Sequence, residues 1–261
     1  MLLGRTARNS RVSSKVSLPR FNLVVLTENF PRFNLVNMPT KITPEVGGFY
    51  HVYNRGVEKR DVFLNNSNQQ RFLTLLYLCN STHPVDLKLQ GLTLEEVQNN
   101  DRGSQITGIC GYCLMPNHFH ILLNEKRAGG ISTFMQKLTT AYTMYFNKKN
   151  DRVGALFQGT YKLKHADNDD YLKYLISYIH LNPIKLIDPH WKEDGIQNLA
   201  KAKQFLESYQ YSSYHDFLGT PRIEKIILTS NLLPEYFNSY DFERTTDDWL
   251  TFKDALQGLT L

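Results

Sequence analysis

Pro116-Asn117-His118-Phe119-His120-Ile121-Leu122-Leu123 is the stretch on which the reading of this chain turns. Side chains alternate faces along a strand, so His118 and His120 point the same way while Phe119 points into the opposite layer. Two imidazoles side by side on a sheet make a ready pair of metal ligands, and the apolar run behind them anchors the strand that carries them. Without context, a His-x-His of this kind is more often packed or solvent-facing than metal-bound. The flanking sequence supplies the context.

Residues 105–114 read as a strand that the tight turn Met115-Pro116-Asn117 joins to the histidine strand as a hairpin. Gly129-Gly130 breaks the chain, and Ile131, Phe134, Met135, Leu138, Tyr142 and Tyr145 then recur at helical spacing. Residues 159–166 read as a further strand. Upstream, Tyr50-His51-Val52-Tyr53-Asn54-Arg55-Gly56 alternates like a strand closed by glycine. Ser67-Asn68-Gln69-Gln70 has the pattern of a capping box before the apolar positions Phe72, Leu73, Leu75, Leu76 and Leu78. A short helical turn is expected at Leu94-Glu95-Glu96-Val97. The order βαββαβ implies an α+β, ferredoxin-like antiparallel sheet with both helices on one face, leaving the other face open for a site. The domain plan is an N-terminal extension (1–40) outside the fold, a central domain (44–187) that carries the histidine strand, and a small, mainly helical C-terminal extension (188–261).

With 261 residues, a net charge of +5, 41% hydrophobic and 12% aromatic content, the chain is long enough for one good-sized core plus an appendage. Charge is unevenly placed: Lys126, Arg127, Lys137, Lys148, Lys149, Arg152, Lys162 and Lys164 face only Asp151 across that stretch, an excess that suits a polyanion. Scattered lysines are also the ordinary make-up of a solvated face. Cys79, Cys110 and Cys113 read as reduced thiols. The Cys110-x-x-Cys113 spacing falls inside a strand with no second pair, against a redox or zinc role. No apolar run approaches the ~20 residues of a membrane span. Near the start, Pro19-Arg20-Phe21-Asn22-Leu23-Val24 recurs as Pro31-Arg32-Phe33-Asn34-Leu35-Val36, and Met38 is an alternative start to Met1.

The segment after residue 166 completes the constellation. Asp167, Asn168 and Asp169 are N-cap candidates for a helix that Pro183 stops. Tyr171, Tyr174, Tyr178 and Asn182 share one stripe, whereas Leu172, Ile176 and Ile179 form another that suits packing. A phenol and an amide one turn apart, Tyr178 and Asn182, can face one point. His118-Phe119-His120, followed by Tyr178-Ile179-His180-Leu181-Asn182-Pro183, resembles the single-tyrosine HUH transposases of insertion sequences, and most closely their REP-associated branch. Similar stretches are 50–56, 112–120 and Gly154-Ala155-Leu156-Phe157-Gln158-Gly159. Thr160 departs from the arginine expected there. Tyr211-Ser212-Ser213-Tyr214-His215-Asp216-Phe217-Leu218-Gly219 also resembles a feature of that branch.

The resemblance implies a divalent metal, Mg²⁺ or Mn²⁺, held by His118 and His120 with Asn182 as third ligand, and Tyr178 as nucleophile. A free tyrosine hydroxyl, with a pKa of about 10, is a poor nucleophile at neutral pH, and a Lewis acid on the scissile phosphate offsets that weakness. The implied reaction is cleavage and rejoining of single-stranded DNA near hairpins through a 5′-phosphotyrosine, in a bacterial cytoplasmic setting. Arg55, Asn117, Lys126, Arg127, Lys137, Lys148, Lys149, Lys162 and Lys164 are the candidate DNA contacts. No membrane partner is expected, and both a monomer and a homodimer are compatible with the sequence. His51, His165 and His180 stand as bystanders, with His180 packed or phosphate-facing. A rolling-circle initiator or relaxase is the second enzyme reading; lack of a helicase-like phosphate loop and of a third clustered histidine argues against it. A domesticated, non-mobile hairpin-binding regulator is the alternative from another class.

Overall fold

The period-two segments become four strands: β1 (Phe49–Arg55), β2 (Gly108–Met115), β3 (His118–Asn124) and β4 (Lys162–Ala166). The computed structural model describes residues 42–85 and 92–237 together with 242, 243, 246 and 250. In it the strands form one antiparallel sheet in the order β2-β3-β1-β4. The helices are α1 (Asn66–Cys79), the short α2 (Leu94–Val97), α3 (Gly130–Lys149), α4 (Asp169–Leu181), α5 (Trp191–Asp194), α6 (Leu199–Ser208) and α7 (Tyr214–Phe217). Taken as β1-α1-β2-β3-α3-β4 with this strand order, the chain has the ferredoxin-like α+β architecture expected from its sequence.

Helices α1 and α3 pack on one face of the sheet. Tyr50 and Val52 of β1 and Phe119, Ile121 and Leu123 of β3 meet Phe72, Leu76, Phe134, Leu138 and Tyr142 there, all essentially inaccessible to solvent. Each such side chain contributes about 1.5–3 kcal/mol through burial. The Tyr142 hydroxyl stays satisfied by donating to the Val62 carbonyl at 2.6 Å.

Helix starts show how local chemistry sets the boundaries. The N-cap of α1 is Asn65, whose side chain accepts from the Asn68 amide, so the capping box expected at Ser67 is not the cap. Ser67 instead turns its hydroxyl back to donate to Asn65 Oδ1. A true capping box forms at Thr93 and Glu96, ahead of α2. At α3, Gly129 takes a φ of 74°, and a Cβ on Gly130 would collide with the Ile106 carbonyl, so both glycines are needed. The buried Glu125 carboxylate accepts from the amides of Gly130 (3.1 Å) and Ile131 (2.7 Å), satisfying orphan donors at the positive end of the helix.

The second face, expected to be open, is partly roofed by α4. Asn168 caps this helix by accepting from the Tyr171 amide. Its Leu172, Leu175, Ile176 and Ile179 pack against Cys113, Met115, Leu122 and Ala166 of the sheet. Pro183, lacking an amide hydrogen, converts the helix end into a 3₁₀ turn over Asn182–Leu186.

The C-terminal extension is mostly short helices and 3₁₀ turns, and it covers the outer edge of β2. The Leu114 amide donates to the Tyr211 carbonyl at 2.9 Å, and the Ser213 amide to the Tyr112 carbonyl at 2.9 Å. The resembling segment 211–219 thus satisfies a strand edge that would otherwise offer itself to other chains. Arg222 holds this segment: its guanidinium donates to Asp216, to the Ser212 and Gln210 carbonyls and to the Tyr112 hydroxyl. Among the described residues no helix is long and apolar enough to cross a membrane. The expectations for segment 1–40, with its repeat and its alternative start at Met38, lie outside the described residues. So does most of the C-terminal extension beyond residue 237.

Candidate active site

Register brings the site together. Tyr53 of β1 lies opposite His120 of β3, and Arg55 opposite His118. On the other side of β1, Lys162 is opposite Tyr53 and Lys164 opposite His51. Directly opposed residues share a face, so His51, Tyr53, Arg55, His118, His120, Lys162 and Lys164 all point to the side that α4 covers. From α4, the Tyr178 ring stands edge-on to His120, with centroids 5.6 Å apart, and to His51 at 6.0 Å. The sequence-level grouping of His118, His120 and Tyr178 is thus a spatial one.

The hydrogen bonds orient the two imidazoles. Asn117 donates from Nδ2 to the Lys59 carbonyl at 3.1 Å, which turns its Oδ1 toward His118 Nδ1 at 2.6 Å. An amide oxygen only accepts, so His118 carries its proton on Nδ1 and its electron pair on Nε2. The rings of His118 and His120 are perpendicular, 4.9 Å between centroids. His120 Nδ1 lies 2.8 Å from Nε2 of His51, a residue set aside as a bystander in the sequence. Both rings of that pair are buried.

Asn182 is buried below Tyr178 and donates from Nδ2 to the Tyr178 carbonyl at 2.6 Å, leaving Oδ1 as the acceptor end of its amide. Among the described residues, no group of three or more His, Cys, Asp or Glu side chains is placed to hold a metal ion. His51 is a third histidine at the pair, but its Nε2 faces His120 rather than a common point. By donor chemistry alone, the two imidazoles of His118 and His120 and the amide oxygen of Asn182 are groups that could hold a divalent cation, completed by water or phosphate oxygens. Mn²⁺ takes imidazole nitrogen into a mixed nitrogen–oxygen shell more readily than Mg²⁺, which prefers oxygen and keeps its waters.

Burial raises the Tyr178 pKa above the ordinary tyrosine value, and Tyr53 adds to this, while a hydrogen bond from the Asn182 amide opposes it. Tyr174 is raised by burial and by Tyr178, and burial, with a smaller push from Asp167, lifts Tyr171 to about 12. All three hydroxyls stay protonated at neutral pH. Their rings form a ladder along α4, with centroids 5.8 Å apart at each step, and Lys164 Nζ sits 4.4 Å from the centroid of Tyr171 at its outer end. The three cysteines are reduced and buried, and burial pushes the thiols of Cys79 and Cys110 to about 12, which leaves those two inert.

The basic residues divide between two faces. Arg55, Lys162 and Lys164 are exposed on the histidine side. Lys137, Lys148 and Lys149 belong to α3, on the opposite side of the sheet. Lys137 is held by the carbonyls of Ser81 (2.6 Å) and His83 (2.7 Å), and Lys149 by Ser67 and Tyr145. Lys126 reaches Gln105, and Arg127 is exposed in the loop before α3. Asn117 spends its amide on His118 and Lys59. Thr160 is exposed in the loop ahead of β4.

The other two histidines set aside in the sequence are structural. His165 stacks on Tyr50 on the α1/α3 side. His180 is fully buried, with Nδ1 at 2.8 Å from the Ile176 carbonyl and Nε2 at 2.7 Å from Ser213 Oγ, so it is packed and faces no phosphate. His51 and Tyr53 are the site residues that sequence reasoning missed. The signal is present in the alternation of β1, but only pairing with β3 gives it meaning.

Residues 92–182 match the family model described as "Transposase IS200 like", a span that contains His118, His120, Tyr178 and Asn182. No curated protein matches the chain. Among solved structures, a REP-associated tyrosine transposase bound to a REP hairpin is similar with a TM-score of 0.43 and 12% identity, over 72% of this chain and 90% of that one. The tRNA(His) guanylyltransferase of Saccharomyces cerevisiae is similar with a TM-score of 0.33 and 11% identity, over 84% of this chain and 90% of that one. Similarities this loose do not transfer an activity.

Proposed function

We propose that this chain, which carries an IS200-like transposase segment at residues 92–182, cuts and rejoins single-stranded DNA near hairpins through a covalent 5′-phosphotyrosine at Tyr178. The observation that carries the reading is the edge-on approach of the Tyr178 ring to His120, 5.6 Å between centroids, with Asn182 one turn further along the same helix. The hairpin substrate rests on the resemblance of the sequence motifs to the REP-associated branch.

In this reading Tyr178 Oη attacks phosphorus in line with the departing 3′-oxygen. The bond from phosphorus to the tyrosine oxygen forms as the bond to the 3′-oxygen breaks; the phenol loses its proton and the leaving 3′-oxygen gains one. One phosphodiester replaces another, so the step runs backward on a new 3′-hydroxyl without a nucleotide cofactor. Because burial keeps the phenol protonated, assistance at the phosphate is required. His118, His120 and Asn182 would hold Mg²⁺ or Mn²⁺, which supplies Lewis-acid polarisation of the scissile phosphate when bound. Lys162 and Lys164 line the same face for neighbouring phosphates. Tyr171 and Tyr174 offer rings on which bases stack.

The test is incubation of wild type and Tyr178→Phe with labelled single-stranded hairpin DNA, in Mn²⁺ or EDTA, followed by a denaturing gel. A metal-dependent protein–DNA adduct that disappears in the variant is expected. An adduct that survives in Tyr178→Phe moves the role to Tyr174 or Tyr171. Hairpin binding by wild type without any adduct replaces the reading with that of a binding module.

A further inference from the structure

We infer that His51 is a positioning residue for the metal centre: its Nε2 takes the Nδ1 proton of His120 in a hydrogen bond and so commits the His120 Nε2 electron pair to the cation. The inference rests on the proposed metal-dependent reading and adds to it a residue that lies ahead of the matched span 92–182 and to which the resemblance gives no role.

Tautomers decide the role. The 2.8 Å contact between His51 Nε2 and His120 Nδ1 holds a single proton, which sits on one nitrogen or the other. With the proton on His51, His120 would carry its hydrogen on Nε2 and could not ligate through that atom. With the proton on His120 Nδ1, Nε2 is the ring nitrogen that carries the electron pair and can ligate, and a neutral His51 has its own hydrogen on Nδ1. His118 already shows the equivalent arrangement, because Asn117 Oδ1 can only accept from its Nδ1. Each candidate ligand thus has its Nδ1 engaged by a neighbour, and such partners fix ring orientation and raise ligand basicity. His51 is itself held in place: it is 3% exposed, stacked on Tyr53 and on His120 with centroids 5.0 Å apart in both cases. Its backbone lies in the middle of β1, paired on both sides, which is a rigid mount for a positioning group.

The experiment is Mn²⁺ titration of the full chain, read from the free-ion electron paramagnetic resonance signal, for wild type, His51→Gln, His51→Phe and His118→Ala. Far-ultraviolet circular dichroism verifies folding. His51→Phe keeps an aromatic ring but no acceptor, and is expected to weaken Mn²⁺ binding about 10–100-fold. His51→Gln restores an acceptor oxygen and is expected to recover most of the affinity. Wild-type affinity in a folded His51→Phe overturns the inference while leaving the metal-dependent reading standing. A wild type that binds no Mn²⁺, indistinguishable from His118→Ala, overturns both. Should His51→Phe fail to fold, long-range ¹H–¹⁵N correlations of the wild-type imidazoles decide: His120 protonated on Nδ1 is the expected result, and His120 protonated on Nε2 overturns it.

Discussion

Asn182 and Tyr178, one helical turn apart, are joined by a hydrogen bond from the Asn182 amide to the Tyr178 carbonyl at 2.6 Å. That bond engages the amide nitrogen and leaves Oδ1 as the acceptor end, the atom that would ligate a cation in the proposed reading. Asn182→Leu removes the oxygen while keeping a side chain of similar size in a buried position. Adduct formation with hairpin DNA in Mn²⁺ is expected to fall by at least about tenfold while the far-ultraviolet circular dichroism is unchanged.

The two faces of the sheet give opposite expectations for the lysines. Lys162→Ala and Lys164→Ala, on the histidine side, are expected to weaken single-stranded DNA binding and to lower the slope of log affinity against log salt by about 0.7 for each phosphate no longer neutralised. Lys148→Ala, on α3, is expected to leave both affinity and slope unchanged. Lys137→Ala removes the donor to two backbone carbonyls and is expected to cost about 1–3 kcal/mol of stability with no change in the salt slope. Fluorescence anisotropy over a salt series, with urea unfolding alongside, separates the two kinds of effect.

Arg222 binds the C-terminal segment to β2 through a two-pronged pair with Asp216, at 3.1 and 2.6 Å, and a bond to the Tyr112 hydroxyl at 2.7 Å. Asp216 is almost completely enclosed at its side chain. Arg222→Ala leaves a buried carboxylate without its partner and is expected to destabilise the chain by about 3 kcal/mol or more in equilibrium urea unfolding. Arg222→Lys, lacking the planar fork, is expected to recover only part of that stability.

His180 makes stability depend on pH. Burial lowers its pKa from 6.5 to about 3, against the opposing bond to the Ile176 carbonyl, and Arg222 lowers it further. Between those values the unfolded chain binds a proton that the native chain does not. Its contribution is therefore complete above pH 6.5 and is lost as pH falls toward 3, on the order of 5 kcal/mol over the full range. Urea midpoints at about pH 7, 5.5 and 4.5 are expected to fall in that order, with a shallower decline in His180→Gln.

Much of the architecture is legible in the sequence because it follows from local rules. Alternation identifies β1 and β3, Gly129-Gly130 marks the start of α3, and Asn168 is among the caps expected for α4. The stripe Tyr171, Tyr174, Tyr178 and Asn182 follows from helical periodicity. The cap of α1 escapes such rules because Ser67 and Asn65 both carry capping oxygens, and the choice depends on which backbone turns helical first.

The sequence by itself determined which side chains share a face of each strand and each helix, because those periods belong to the backbone and need no partner. It could not determine what those faces meet. His51 became part of the site only when β1 settled beside β3 with Tyr53 opposite His120. The basic stretch separated into a site face and a remote face only when α3 docked on one side of the sheet and β4 paired with β1 so that Lys162 and Lys164 point to the other. Strand register and the side on which a helix docks are set by contacts between residues far apart in the chain, which no local period encodes.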